Sequence, residues 1–283
     1  MKEAVIQVCV SCNAEMQGKF CSACGEKVLH DKERTIGHFF GEFFHVLTHA
    51  DSKFLKSLKY IFTKPGFLTD EFIRGRRKLY TAPLAMFVIG NLLYFLFSPV
   101  DALNTPYASQ VQYQKYSAAV RPIAEERISQ SPLAPEQFIR KYDANSAKAS
   151  KVILILLVFL FSVPVSLLFY SSTRYYVDHL TFATEFINVV IYGIFLLLPL
   201  LLKLYFFISW KVFGIEGDID YNTPAAAWTP LVLAFIYLAV AAKRVYKQSL
   251  LFTIPKAIML SISLILVVFA YRFILFCVAL AMT

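Results

Sequence analysis

Five apolar stretches, each close to the length that crosses a lipid bilayer, limit the folds open to this 283-residue chain. A helix needs about 20 mainly apolar residues to cross the hydrocarbon core. The predicted spans are residues 82–99, 152–170, 186–210, 225–242 and 257–280. Apolar residues make up 58% of the chain and charged residues only 17%, whereas soluble proteins carry about 25% charged residues. The sequence therefore predicts an all-α polytopic membrane protein with about five transmembrane helices.

Basic residues at the ends of the spans predict the orientation of the chain. Arg74, Arg76, Arg77 and Lys78 stand directly before the first span, and such clusters stay on the cytoplasmic side of a membrane. Basic residues also follow the second and fourth spans, whereas the loop after the third span is acidic. We therefore expect a multi-pass membrane protein with a cytoplasmic N-terminus and an external C-terminus. Residues 82–283 would then form the transmembrane bundle, with an external loop over residues 101–150.

Four of the five cysteines form two CxxC pairs, Cys9 with Cys12 and Cys21 with Cys24. A two-residue spacer lets both thiolates of a pair reach one ion, and two pairs supply the tetrahedral set of a closed structural zinc site. Two disulfides or a redox pair are the alternatives. A reducing cytosol disfavours disulfides, and a single redox motif does not explain two matched pairs. The sequence therefore predicts a structural Zn²⁺ in a zinc ribbon over residues 1–30, with no open position for catalysis.

Residues 35–50 form a strongly amphipathic helical pattern. His38, Glu42, His45 and His49 share one narrow stripe, and phenylalanines cover the opposite side. One interpretation is a second metal site. The other, which we favour because one helix rarely completes a coordination sphere, is the water-facing side of a helix that lies on the membrane.

A second amphipathic helix is predicted over residues 52–62, where lysines lie away from an apolar face. Apolar residues opposite lysines are typical of a helix at the surface of an anionic membrane; packing against the ribbon or the bundle is the alternative. Residues 31–81 are therefore interpreted as cytosolic or interfacial amphipathic helices. The predicted contacts with lipid headgroups are Lys53, Lys56, Lys59, Arg74, Arg76, Arg77 and Lys78.

Four polar residues near the start of the third span form a candidate site, Asp178, His179, Glu185 and Asn188. Ionisable groups inside membrane spans are functional candidates by default. A hydrogen-bonded cluster at the membrane interface is the alternative that we favour.

Three functions remain open, because the sequence has no Walker A, GxGxxG, HExxH or GxSxG motif and no catalytic residue can be assigned. The favoured one is a non-enzymatic docking or lipid-sensing module that uses the ribbon, with a cytosolic protein as partner. Transport of ions, small solutes or lipid is the first alternative. A membrane enzyme acting on lipid headgroups, with His179 as acid or base, is the second. A net charge of +9 on so apolar a chain favours the bilayer and its anionic headgroups over nucleic acid as a partner.

Several short motifs together resemble a family of uncharacterised bacterial membrane proteins. The motifs are Cys9–Cys12, Phe20-Cys21-x-x-Cys24-Gly25, Lys64-Pro65-Gly66, Phe72-Ile73-Arg74-Gly75-Arg76-Arg77-Lys78-x-Tyr80-x-x-Pro83, Asn91-x-x-Tyr94-Phe95 and Tyr176-Val177-Asp178-His179-Leu180-x-Phe182-Ala183. The resemblance implies an N-terminal zinc ribbon, a polytopic domain of unknown function and a bacterial inner membrane, but no established activity. The family often carries a second histidine six residues after the position of His179, where this chain has Glu185.

Overall fold

Helices dominate the computed structural model, which describes residues 7–16, 18–26, 52–97, 103–171, 174–214 and 224–283. A two-stranded antiparallel sheet, β1 (Gln7–Val8) and β2 (Glu15–Met16), precedes them. The helices are α1 (Ser52–Thr63), α2 (Phe67–Ile73), α3 (Pro83–Phe97), the π-helix π1 (Ser109–Tyr113), α4 (Ser117–Gln130), α5 (Pro135–Val152), α6 (Ile155–Leu168), α7 (Tyr176–Val189), the π-helix π2 (Val190–Leu197), α8 (Leu198–Phe213), α9 (Pro224–Tyr246) and α10 (Leu250–Ala281).

Within the described ranges, three helices are long and apolar enough to cross a membrane. They are Tyr176–Phe213, Thr229–Tyr246 and Leu250–Ala281. A fourth span results if α5 and α6, which meet at a bend of 58°, count as one. The first predicted span is the 15-residue helix α3, whose length of about 22 Å falls short of a hydrocarbon core of about 30 Å. The helical membrane class is confirmed, but five spans are not.

Helix α7 lies at the centre of the bundle, because every residue from Val177 to Asn188 is buried. It packs against α6, where the rings of Phe161 and Phe186 lie 5.0 Å apart, and against α1, α2 and α3. Thr181 and Thr184 donate their hydroxyls to carbonyls one turn earlier in the same helix. These bonds satisfy polar groups without a partner from another helix, so α7 can be enclosed on all sides.

Helices α1 and α2 form a hairpin whose tip reaches α9. Gly66 is in a left-handed conformation, with φ 73°, at the tip. A Cβ added there would lie 2.7 Å from the carbonyl oxygen of Ala241 in α9. Arg244 in α9 donates to the carbonyl of Pro65 over 2.7 Å. On the other side of the hairpin, Ile61 is fully buried in a cluster with Leu68, Met86 and Tyr192. On the same apolar face of α1, Leu55 (68%) and Phe62 (39%) are exposed, so the face packs against the bundle only in part.

The ribbon and the C-terminus are attached at opposite ends of the bundle. The hairpin tip contacts the C-terminal part of α9, just before the turn that leads into α10. Helix α10 then runs for 32 residues, about 48 Å, to the far end. There Lys141 and Asn145 of α5 donate to backbone carbonyls of Thr283 and Met282. Residues 109–152, which comprise π1, α4 and α5, pack against this end of α10 and form the far cap around the C-terminus.

Candidate metal centre and its link to the bundle

The two CxxC pairs fold into two equivalent backbone turns. The N–H of Asn13 donates to the carbonyl of Cys9 over 2.9 Å, and the N–H of Gly25 donates to that of Cys21 over 2.7 Å. Asn13 and Gly25 both have positive φ, 61° and 69°. Glycine adopts this left-handed conformation at no steric cost and asparagine tolerates it. Each turn is therefore closed by a residue type suited to its place.

The sulfur atoms of the four cysteines converge on one point. Sγ of Cys9 lies 3.6 Å from Sγ of Cys24, Sγ of Cys12 lies 3.5 Å from Sγ of Cys21, and all four atoms lie within 4.8 Å of one another. Tetrahedral zinc, with Zn–S distances of about 2.3 Å, separates its sulfurs by about 3.8 Å. A hydrogen bond from the backbone of Cys24 helps to lower the pKa of the Cys21 thiol to about 6, which favours the thiolate that binds metals. Desolvation and the neighbouring cysteine side chains raise the pKa of the Cys12 and Cys24 thiols, so the closeness of the four sulfurs is the stronger sign of a metal site. The four residues can therefore hold a metal ion.

Arg76 joins the first cysteine turn to the membrane-proximal helices. Its Nε donates to the carbonyl of Val10, between Cys9 and Cys12, over 2.7 Å. Its Nη1 lies 3.2 Å from a carboxylate oxygen of Glu71 in α2. The Glu71 side chain is only 6% exposed, so the ion pair is less screened by solvent than a surface pair. The guanidinium thus connects the ribbon to α2.

Glu26 joins the second cysteine turn to the first turn and to the basic tract, residues 74–78. It directly follows Gly25 and is 3% exposed. Its Oε2 accepts the hydroxyl of Ser11 over 2.8 Å and the backbone N–H of Lys78 over 3.1 Å. Because the carboxylate holds both turns and the tract, the ribbon is attached at two points.

The predicted lipid-contact residues have partners within the protein as well as exposed positions. Arg74 pairs with Asp70 over 2.6 Å, and the guanidinium of Arg77 lies 5.4 Å from the centre of the Phe72 ring. The lysines of α1 are exposed; they are Lys53, Lys56 and Lys59. Contact with lipid stays a prediction for all seven basic residues.

Glu185 in α7 holds the N-terminus of α2 inside the bundle. Its carboxylate is 1% exposed. Oε2 accepts the backbone N–H of Thr69 over 2.7 Å and its hydroxyl over 2.5 Å, while Oε1 accepts the hydroxyl of Tyr237 over 3.3 Å. Gly66, the residue that precedes α2, has no side chain with which to cap the free N–H groups of the first turn. Glu185 therefore caps α2 from another helix, where the helix dipole favours a carboxylate.

The other three members of the candidate polar site have different partners. Asp178 accepts the N–H of Tyr175 at the start of α7, and Nδ1 of His179 lies 2.9 Å from the hydroxyl of Tyr246. Asn188 donates to the carbonyl of Pro83, at the start of α3, over 2.8 Å. The structure therefore does not bring the four side chains to one point. Glu185 and Asn188 hold α2 and α3, whereas His179 contacts the end of α9.

The proposed second metal stripe, with His38, Glu42, His45 and His49, lies outside the described residues.

Four residues that connect the ribbon, α2 and the bundle are not predicted from the sequence. They are Glu26, Thr69, Glu71 and Tyr237. The position of Glu26 beside Gly25 was a local signal that it belongs to the ribbon. Thr69 and Glu185 are separated by 116 residues, and no local pattern connects them.

The fold and the cysteine cluster together define a helical membrane protein with an N-terminal four-cysteine site that can bind a metal ion. Residues 51–95 match the family model described as a protein of unknown function (DUF3667). The match covers α1, α2, the basic tract and α3, so the resemblance to an uncharacterised family is confirmed; the bacterial source stays a prediction. No curated protein and no solved structure matches the chain at a significant level.

We expect Glu185→Ala to destabilise the protein by about 2–4 kcal/mol. The change leaves two donors of Thr69 buried without an acceptor, and each buried unpaired group costs about 1–3 kcal/mol. Glu185→Gln keeps one carbonyl oxygen for Thr69 and should cost less than half as much. Thermal unfolding of the purified variants in detergent measures both. Equal losses for the two variants would contradict the capping role.

Proposed function

We propose that this protein is a non-enzymatic inner-membrane module whose zinc ribbon docks a cytosolic protein. A structural Zn²⁺ would occupy the four cysteines, with the N-terminus in the cytoplasm and the C-terminus outside. The observation that carries the proposal is a small ribbon held to the bundle at two points, through Arg76 and Glu26, with apolar side chains exposed beside its cysteines.

The apolar side chains of the ribbon stand next to the first cysteine of each turn. Val8 and Val10 flank Cys9, and Phe20 precedes Cys21; all three are exposed. Among the described residues, the core of the ribbon comprises Cys9, Met16 and Cys21, with Ala14 and Cys24 packed against them, so the three exposed side chains contribute little to its folding. Exposed apolar groups on a small, fixed module favour a protein partner. Fixed attachment also lowers the entropy cost of binding.

Transport and lipid chemistry receive less support. Both need polar groups in the bundle that can exchange partners with a solute or a substrate. Glu185 and Asn188 already bond to backbone groups of α2 and α3, and removal of those contacts would leave these groups without their partners. If reconstituted wild type and Glu185→Gln carry equal solute flux, Glu185 is not a transport residue.

The test is site-specific photo-crosslinking in cells. A photoreactive residue at position 20 should give a discrete adduct with one protein, and Cys21→Ser should abolish that adduct. The same residue at position 113, an exposed tyrosine in the far cap, is the matched control and should give no such adduct. In the unlabelled protein, Phe20→Ser should weaken partner binding about 10-fold or more, because burying a phenylalanine contributes about 1.5–3 kcal/mol. Adducts with lipid alone from position 20 would contradict docking.

A further inference from the structure

The turn between α9 and α10 gathers basic side chains that the ribbon does not use. Lys243 lies in the last turn of α9 and Lys247 directly follows the helix; both are exposed. Lys247 has φ 54° and donates its N–H to the carbonyl of Lys243 over 3.0 Å. A glycine usually occupies this left-handed position at the end of a helix. A lysine there adds a positive charge at the cost of some backbone strain.

Two further basic side chains are held at the same turn. Arg174, before α7, donates to the carbonyl of Val245 over 2.8 Å. Lys256 of α10 donates to Gln248 over 3.0 Å, and its ammonium lies 4.8 Å from the centre of the Phe169 ring. Arginine has five donors and lysine three, so both keep donors for another ligand. Across the described ranges, none of the four basic side chains forms an ion pair with an acidic residue.

Exposed apolar side chains adjoin these charges. Leu251 is 77% exposed and Phe252 65%, in the first turn of α10, and Tyr170 is 85% exposed beside Phe169. Positive charges next to exposed aliphatic and aromatic groups match the boundary between headgroups and hydrocarbon. A free anion would use only the charges, whereas a phospholipid uses both the charges and the apolar surface.

We propose that Arg174, Lys243, Lys247 and Lys256 bind the headgroup phosphate of an anionic phospholipid, whose acyl chains lie along the first turns of α10. The site is separate from the ribbon and does not depend on a docking partner. Each lysine near an anionic membrane surface contributes about 1 kcal/mol, which corresponds to about a fivefold change in affinity.

The experiment measures binding of phosphatidylglycerol to the full-length protein in detergent by native mass spectrometry. Lys243→Gln/Lys247→Gln should raise the dissociation constant about 25-fold, and Lys243→Arg/Lys247→Arg should keep it near the wild-type value. Lys115→Gln/Lys148→Gln removes the same charge at exposed positions of the far cap and should leave it within about twofold. The arginine variant separates the effect of charge from an effect on folding. The glutamine and arginine variants both place a non-glycine residue in the left-handed conformation at position 247, and they differ in charge.

A second lipid and a competing anion test which kind of ligand the site binds. Phosphatidylcholine should bind less tightly than phosphatidylglycerol, and millimolar inorganic phosphate should not displace the lipid. Displacement by phosphate would overturn the lipid assignment in favour of a free anion. Equal losses in the Lys243/Lys247 and Lys115/Lys148 glutamine variants, or equal binding of the two lipids, would overturn the site itself.

Discussion

Removal of the proposed Zn²⁺ from the purified protein should unfold residues 7–26 and leave the helical bundle intact. A ribbon of this size has too little core to fold alone, and a structural zinc contributes about 10–16 kcal/mol to the folding of such modules. The amides of Asn13 and Gly25 close the two cysteine turns, so they report on the fold directly. We expect both to lose protection from hydrogen exchange on chelation, while amides of α7 keep theirs.

Cysteine variants provide the matched control. Cys21→Ser should lose the metal and the protection of both amides. Cys277→Ser removes the exposed fifth cysteine in α10, which lies outside the cluster, and should retain one metal ion per chain. If the two amides stay protected after the metal has been removed, the cluster is not what holds the ribbon together.

Gly66→Ala should destabilise the bundle by about 2–5 kcal/mol, because two costs act at one position. A non-glycine residue in the left-handed conformation costs about 1–2 kcal/mol. The new Cβ would also lie 2.7 Å from the carbonyl oxygen and 2.9 Å from Cα of Ala241. These are backbone atoms of α9 that cannot rotate away, and such overpacking costs about 1–3 kcal/mol. The hairpin tip would move, and the bonds of Thr69 to Glu185 would lengthen.

Gly214→Ala is the control for this substitution. Gly214 has φ 66°, close to that of Gly66, but a Cβ there would meet no atom of the described residues within 4 Å. It should therefore cost only the backbone strain of about 1–2 kcal/mol. Thermal unfolding in detergent compares the two variants. Equal losses at both positions would show that the close approach of Gly66 to Ala241 adds no steric cost to the substitution.

Features that depend on neighbouring residues were visible in the sequence. The spacing of Cys9, Cys12, Cys21 and Cys24 predicted one four-sulfur cluster, and the structure brings all four sulfurs within 4.8 Å. The apolar stretches predicted helices, and each predicted span overlaps one. The sequence did not determine the number of membrane spans, because a short apolar helix such as α3 has the composition of a span without its length.

The structural roles of the polar residues depend on contacts between distant parts of the chain. The basic tract was interpreted as lipid-facing from its composition, yet Arg76 bonds to the ribbon and to Glu71. Glu185 was a candidate for chemistry because it is an acid in an apolar segment, and the fold makes it the cap of α2. The same residue types suit either role, so composition could not separate them.

By itself the sequence determined the four-cysteine cluster, the helical class and the positions of the charges, because each follows from spacings of a few residues. Only the tertiary structure decided that Arg76 joins that cluster to α2, that Glu26 joins it to the basic tract, and that Glu185 joins α2 to α7. Those contacts join residues up to 116 positions apart. They depend on how helices pack and on which donors packing leaves unsatisfied, and no local period encodes either.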